Sequence, residues 1–181
     1  ESQAKDSCGF GLIAQLKESG KLKNTFILFI SDNGGHYKIT KQWPLRAGKG
    51  SYYEGGIREP MFVRWPGKIK PGKIDIPVTN LDFYPTILEV AGIEKPKEKI
   101  LDGKSILPVL TGNGKLGERP LYWHFPIYLE AYVKNDTTTQ DPLFRTRPGS
   151  AIRFGDWKLI HYYENNDLEL YNLKEDIGEK N

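Results

Sequence analysis

The chain has one cysteine, Cys8, among its 181 residues. A lone cysteine excludes an internal disulfide framework and any cysteine-based zinc cluster, and says little about compartment. Long apolar runs are also missing. The longest, Phe26-Ile27-Leu28-Phe29-Ile30, is far short of the roughly 20 residues that a spanning helix needs. Neither sign of charge prevails: 26 Lys and Arg against 23 Asp and Glu leave +3. That mildly basic balance argues neither for nor against nucleic acid, and no long single-sign block marks an electrostatic tail. There is no repeat, low-complexity stretch, initiator Met, signal peptide or transit segment. The chain opens on Glu1-Ser2-Gln3, as a piece of something longer would. What is present suffices for a core. Apolar residues at 38% and charged residues at 27% exclude wholesale disorder, and the length suits one domain, or one with a small appendage.

Residues 5–19 place Cys8, Leu12, Ile13 and Leu16 at helical spacing. Gly9 and Gly11 weaken that helix, and Gly20 stands where a left-handed cap would close it. Residues 26–30 do not alternate, which fits a strand buried on both faces, as in a parallel sheet covered by helices. Helix followed by buried strand is half of an α/β unit. A shorter strand, residues 61–65, ends at Pro66-Gly67. Asp82 precedes a second helix as an acceptor for an orphan N–H, with Pro85 in the first turn, Ile87, Leu88 and Ala91 on its apolar face and Gly92 at its end. Residues 105–110 read as one helical turn. Residues 111–149 read as an aromatic-rich connecting loop. Beyond them, residues 151–154, 157–163 and 168–171 read as strands, with turns at Gly155-Asp156 and Asn165-Asn166-Asp167. The expected division is therefore an α/β part over 1–110, a connecting region over 111–149 and a small antiparallel subdomain over 150–181, whose polar tail from Lys174 frays.

The sharpest chemical feature is Ser31-Asp32-Asn33-Gly34-Gly35-His36, directly after the apolar strand. Ligands of open α/β sheets gather just beyond the carboxyl ends of strands, and Asp32 and Asn33 offer hard oxygens suited to Ca²⁺ or Mg²⁺. The same residues are common turn chemistry, so both readings stand. A carboxylate and one amide carbonyl fall well short of the roughly 6–8 oxygens calcium takes, so most ligands of such a site would come from outside the chain. A second feature is residues 45–60. There Lys49 lies between Gly48 and Gly50, where its ammonium can reach an anion while the backbone stays close. Arg46 and Arg58 are natural partners for Glu54 and Glu59, and an ion-paired surface loop is the alternative. His36 can face a ligand at the turn. His124 sits in Tyr122-Trp123-His124-Phe125-Pro126, an aromatic cluster of the kind that stacks on sugar rings, and His161 reads as structural. Asn135-Asp136-Thr137 matches the short N-glycosylation pattern.

Together these segments resemble the C-terminal part of a type I, formylglycine-dependent sulfatase. The family is arylsulfatase A-like, of the alkaline-phosphatase-like superfamily. The resemblance rests on residues 24–35, on residues 48–60 with Trp65-Pro66-Gly67, on residues 82–88, and on residues 155–159 with 169–173, in the family's order along nearly the whole chain. It implies that Asp32 and Asn33 are two ligands of a calcium that holds the sulfate. It implies that Lys49 binds a sulfate oxygen and offsets charge in the transition state, with His36 and His124 toward the substrate. The aromatic segment resembles that of bacterial carbohydrate sulfatases, which implies a sulfated carbohydrate or aryl sulfate as substrate and a periplasmic or secreted location. Neither nucleic acid nor membrane is implied as a partner. The formylglycine motif, Cys/Ser-x-Pro-x-Arg, is not in the chain: Cys8 is followed by Gly9-Phe10-Gly11. The nucleophile is thus expected from an N-terminal part of the same sulfatase, and the chain alone is expected to be inactive. A phosphodiesterase or phosphonate hydrolase of the same superfamily, and a non-catalytic module binding sulfated glycan, remain as alternatives.

Overall fold

The computed structural model describes residues 2–36, 38–133, 135 and 137–181, with residues 2–8 and 10 described by backbone alone. The side chain of Cys8, and Asp136 of the glycosylation pattern, lie outside the described residues. In chain order the elements are α1 (Ser2–Glu18), β1 (Ile27–Ile30), α2 (Glu54–Ile57), β2 (Met61–Arg64), α3 (Phe83–Val90), α4 (Leu107–Leu110), β3 (Leu121–His124), β4 (Leu129–Glu130), β5 (Phe144–Thr146), β6 (Gly149–Phe154), β7 (Trp157–Tyr162) and β8 (Asp167–Asn172). They pack as two units that interleave in sequence. One holds Glu1–Phe29 and Phe62–Gly117, the other Ile30–Met61 and Glu118–Asn181.

In the first unit, α1 ends at Glu18, and Gly20 just beyond it takes φ 70 as a left-handed cap requires. Its apolar face is not covered: Leu12 is 62% exposed, and Ile13 is exposed as well. Among the described residues β1 pairs with β2 alone, in a two-stranded sheet. The expected burial on both faces is not found, for Phe29 is 63% exposed, with the tilted ring of Phe62 at 6.3 Å. An unbroken apolar run states a need for cover, and one neighbouring strand supplies cover along an edge rather than over a face. Asp82 precedes α3 as expected but does not cap it. Its carboxylate accepts from the Thr79 N–H at 2.9 Å, completing a capping box on the preceding turn, and from the Lys104 N–H at 2.8 Å. Thr86 continues the link, donating to the Asp82 carbonyl at 2.6 Å and accepting from the Ile106 N–H at 3.0 Å. The α3–α4 pair is therefore tied by buried polar groups as much as by apolar packing.

The second unit is built on a four-stranded antiparallel sheet in the order β3-β6-β7-β8. The three C-terminal strands and the Gly155-Asp156 turn match the sequence reading, with Phe154 opposite Trp157 across the hairpin. The connecting region does not stay a loop. It contributes β3, β4 and β5, and β3 joins the sheet edge with Trp123 opposite Ala151. Leu121 and Trp123 turn inward, while Tyr122 and His124 are exposed, so the period-2 pattern was present in these residues. The core beneath the sheet gathers Ala47, Tyr52 and Tyr53 from the glycine-rich stretch onto Ala151, Ile160, Tyr162, Tyr171 and Leu173. Such a tyrosine-rich core needs partners for its hydroxyls. Tyr53 and Tyr171 both donate to Glu169 Oε2, at 2.9 and 3.0 Å. Tyr52 donates to the carbonyls of Phe125 and Gly149, each at 2.7 Å. Burial pushes the Tyr52 hydroxyl up to about 12.

The inward face of β7 carries a charge. Lys158 is 0% exposed, with Nζ 3.1 Å from Glu54 Oε1 and 2.6 Å from Glu179 Oε1, the second an ion pair without hydrogen-bond alignment. Arg58 and Arg153 approach the other oxygen of Glu54 at 3.3 and 3.9 Å. Glu179 belongs to the tail that was expected to fray. Instead its second carboxylate oxygen accepts from the Glu54 N–H at 2.6 Å, at the start of α2, and Leu173, just before the tail, is buried in the core. Burial pushes the Glu179 carboxyl up, and the Lys158 charge pulls against that. Within the tail Glu179 is buried in the ion network, while Lys174, Glu175, Lys180 and Asn181 are exposed. Arg46 does not take up the ion pair expected of it. It donates to the Thr138 and Glu179 carbonyls, each at 2.8 Å, and to the Tyr171 hydroxyl at 3.0 Å, with its guanidinium 4.0 Å over the Tyr53 ring.

Removing the central cation leaves two buried carboxylates facing each other. Lys158→Met is expected to lower stability by about 3–5 kcal/mol, the scale for breaking a buried pair from one side. Lys68→Met, at an exposed position, should stay within about 0.5 kcal/mol. The midpoints of urea unfolding curves, compared at equal slope, check both.

Candidate active site

Beyond β1 the chain turns sharply through Asp32-Asn33-Gly34-Gly35, with the Ser31 hydroxyl donating to the Asn33 carbonyl at 2.9 Å. The turn is seated by backbone contact. The Gly34 N–H donates to the Gly56 carbonyl at 3.1 Å, and the Lys49 N–H to the Gly35 carbonyl at 3.1 Å. A Cβ on Gly34 would stand 2.1 Å from the Gly55 carbonyl oxygen, and one on Gly55 would stand 2.3 Å from the Arg46 carbonyl oxygen. Only chains without side chains at these points can approach so closely. The glycines of both sequence features therefore serve one purpose, which is to bring the Asp32-Asn33 turn and the Lys49 loop into a single site.

Asp32 is exposed and Asn33 half-buried. The Lys49 side chain is exposed, and among the described residues no acceptor or carboxylate holds it. Glu59, which the sequence offered only as an ion-pair partner, lies beside this turn. Its Oε1 is buried with no hydrogen-bond partner among the described residues. Burial pushes its carboxyl up, the Ser31 hydroxyl works against that, and the charge of Asp32 adds to it. Among the described residues no three His, Cys, Asp or Glu side chains are grouped to hold a metal. The donors present, a carboxylate and an amide carbonyl with a second carboxylate nearby, are the hard oxygens that calcium prefers, and they fit as part of its shell.

His36 follows the turn, and its Nδ1 accepts from the Lys38 N–H at 3.3 Å, which leaves Nε2 as the protonated nitrogen. Its ring stacks on Tyr132, with centres 3.8 Å apart and an angle of 27° between planes. On the same Tyr132 lies the guanidinium of Arg145, 3.8 Å from the ring centre. Neither Tyr132 nor Arg145 gave a signal in the sequence, because nothing local marks a residue whose partner is distant in the chain. His124 is not brought to this cluster by any contact among the described residues. Its Nδ1 lies 2.9 Å from the Ser150 hydroxyl and 3.1 Å from that of Tyr163. Of its aromatic neighbours, Tyr122 is 70% exposed, whereas Trp123 packs against the core and is not a free platform. The aromatic segment is nonetheless anchored to the glycine-rich stretch through the Tyr52 bond to the Phe125 carbonyl.

A family model described as N-sulphoglucosamine sulphohydrolase, C-terminal, matches residues 48–181. A sulfatase of Formosa agariphila is 38% identical over 174 residues, which take in 90% of this chain and 29% of the relative. Among solved structures, Ps i-CgsB in complex with k-i-k-neocarrahexaose matches with a TM-score of 0.74 at 33% identity, over 94% of this chain and 34% of that one. A protein in complex with its substrate D-glucosamine-2-N,6-O-disulfate matches with a TM-score of 0.68 at 29% identity, over 94% of this chain and 32% of that one. The chain thus spans about a third of the length of the proteins it matches.

The seating of the turn is tested by a single methyl group. Gly34→Ala is expected to cost about 1–3 kcal/mol or more, since backbone must move to admit it. Gly72→Ala, with nothing within 4 Å of the added carbon, should change stability far less. Thermal melts of the two variants compare them.

Proposed function

Because the chain belongs to the family of N-sulphoglucosamine sulphohydrolase C-terminal segments and has the C-terminal portion of the alkaline-phosphatase-like sulfatase fold, we propose that it is the C-terminal part of an enzyme hydrolysing sulfate esters on a sulfated glycan. The observation that carries this reading is the bond from the Lys49 N–H to the Gly35 carbonyl, which sets an unpartnered cation beside a hard-oxygen turn. The glycan substrate class is supported by the sugar ligands of the two solved neighbours. The reading carries with it a periplasmic or secreted location.

Asp32 and Asn33 would hold calcium, which supplies a positive charge that binds a sulfate group and polarises it. Lys49 contributes the second positive charge. Its compact ammonium, on a flexible stem between two glycines, meets a sulfuryl oxygen and offsets negative charge where it grows in the transition state. His36 presents a protonated Nε2 to the same region and is held by its stack on Tyr132. His124, on the exposed face of β3, contacts a more remote part of the glycan. The nucleophile is a formylglycine supplied by the N-terminal part of the enzyme, since no Cys/Ser-x-Pro-x-Arg occurs in these residues. The isolated chain is therefore expected to show no turnover.

In the full-length enzyme, Lys49→Ala is expected to remove about 2.7–4 kcal/mol of transition-state stabilisation, the scale of one electrostatic stabiliser. At about 1.36 kcal/mol per tenfold that is a hundredfold or larger fall in kcat/KM. The melt should not move, and Lys49→Arg should rescue poorly because a planar fork replaces a point charge. Steady-state kinetics on an aryl sulfate, beside the matching aryl phosphate, measure this. Activity within a fewfold of wild type would return Lys49 to the role of a surface residue, and preference for the phosphate would replace the sulfatase by a phosphoesterase.

A further inference from the structure

Arg145 of β5 differs from Arg46 and Arg147 of its unit. Arg46 is saturated by two carbonyls and a hydroxyl, and Arg147 is set among Asp141, Glu164 and Asp167. Arg145 has no carboxylate or hydrogen-bond acceptor among the described residues, and its Nε is buried without a partner. Arg145 is half-buried, and with Nε covered its two terminal amino groups, which no acceptor among the described residues holds, are what an incoming anion meets.

Its surroundings hold it ready. The Arg145 guanidinium carbon and the His36 ring centre each lie 3.8 Å from the centre of Tyr132. Two groups so close to one ring centre cannot share a face, so Tyr132 is sandwiched between them. Stacking on an aromatic face fixes the plane of the guanidinium and leaves its N–H edge for recognition. The same arginine packs on the Lys49 loop: a Cβ on Gly50 would stand 2.8 Å from Arg145 Nε. Gly50, at φ 86, is the residue next to Lys49.

We propose that Arg145, held flat by Tyr132 and His36, is a subsite for a second oxyanion, a sulfate or carboxylate on the same glycan chain whose sulfate ester faces Lys49. The inference rests on the function proposed above and adds to it that the substrate carries more than one negative group. The planar fork meets either oxyanion through paired N–H bonds, whereas Lys49 meets its sulfate as a point charge.

The test uses the full-length enzyme as wild type, Arg145→Gln and Arg145→Lys, with three probes. Carrageenan oligosaccharides carry sulfates and no carboxylate, chondroitin 6-sulfate oligosaccharides add a uronate carboxylate, and 4-nitrophenyl sulfate carries one anionic group. Arg145→Gln is expected to raise KM for one of the oligosaccharides about tenfold to a hundredfold, the scale of a lost charge-assisted hydrogen bond, with kcat within about twofold. Arg145→Lys should fall between, and KM for 4-nitrophenyl sulfate should move less than about twofold. An effect on carrageenan assigns sulfate as the second anion, and an effect on chondroitin alone assigns carboxylate. Equal changes on all three probes, or no change on either oligosaccharide, overturn the subsite. A lower melting temperature with unchanged KM overturns it too and leaves Arg145 a packing residue. If wild type hydrolyses no sulfate ester, the sulfatase reading fails, and Arg145 is judged by calorimetric binding of the same oligosaccharides. A tenfold weaker Kd in Arg145→Gln then supports the subsite, and equal affinity or no binding by wild type overturns it.

Discussion

Lys158 is buried between Glu54 and Glu179, and the rest of the second unit hangs on that ion network. Buried charges are expensive, so each must find its partner for the fold to form at all. The ammonium belongs to the central sheet, one carboxylate to α2 and the other to the C-terminal tail. Satisfying the three together fixes α2 against the sheet. The glycines of α2 in turn receive Gly34, and Gly34 carries Asp32 and Asn33 on its flank. A chain of necessity thus runs from a charge in the core to hard oxygens at the surface. Hydrophobic packing of Tyr52, Tyr53, Ile160 and Tyr162 supplies the area, but area is non-directional, and the ion network with the glycine contacts sets the register.

The positive groups of the unit divide by whether the protein pairs them. Arg46, Arg58, Arg147, Arg153 and Lys158 all end on carboxylates, carbonyls or hydroxyls of the same unit. Among the described residues Lys49 and Arg145 do not, like the exposed Lys38, Lys41, Lys174 and Lys180, and Lys49 and Arg145 flank a single glycine. Lys49 is set apart from the other exposed lysines by its place beside the Asp32-Asn33 turn, to which its N–H is bonded through the Gly35 carbonyl. That distinction carries the functional reading here more than any pocket shape does.

Much of the site was legible locally. The Asp32-Asn33-Gly34-Gly35 turn and the Gly48-Lys49-Gly50 loop declare themselves because glycine, hard oxygens and a lone cation are compositional signals within a few residues. The hairpin at Gly155-Asp156 was legible for the same reason. The connecting region departs from the expected loop because Leu121, Tyr122, Trp123 and His124 alternate inward and outward, a short pattern set among many aromatics. Polarity near a terminus usually means solvent, and Glu179 departs from that because it answers a lysine in the core. Glu59, Tyr132 and Arg145 left no trace, since each acquires meaning from a neighbour that only folding provides.

Sequence alone thus determined the periodicities, the turns and the family resemblance, which are properties of residues read with their near neighbours. Tertiary structure decided which charges are paired and which stay free. It drew Lys49 to Gly35, set Arg145 on Tyr132 opposite His36, and took Arg46 away from the carboxylates beside it in the chain. The reason is physical: hydrogen-bonded periodicity is local, whereas the desolvation of a charge depends on everything that packs around it in three dimensions.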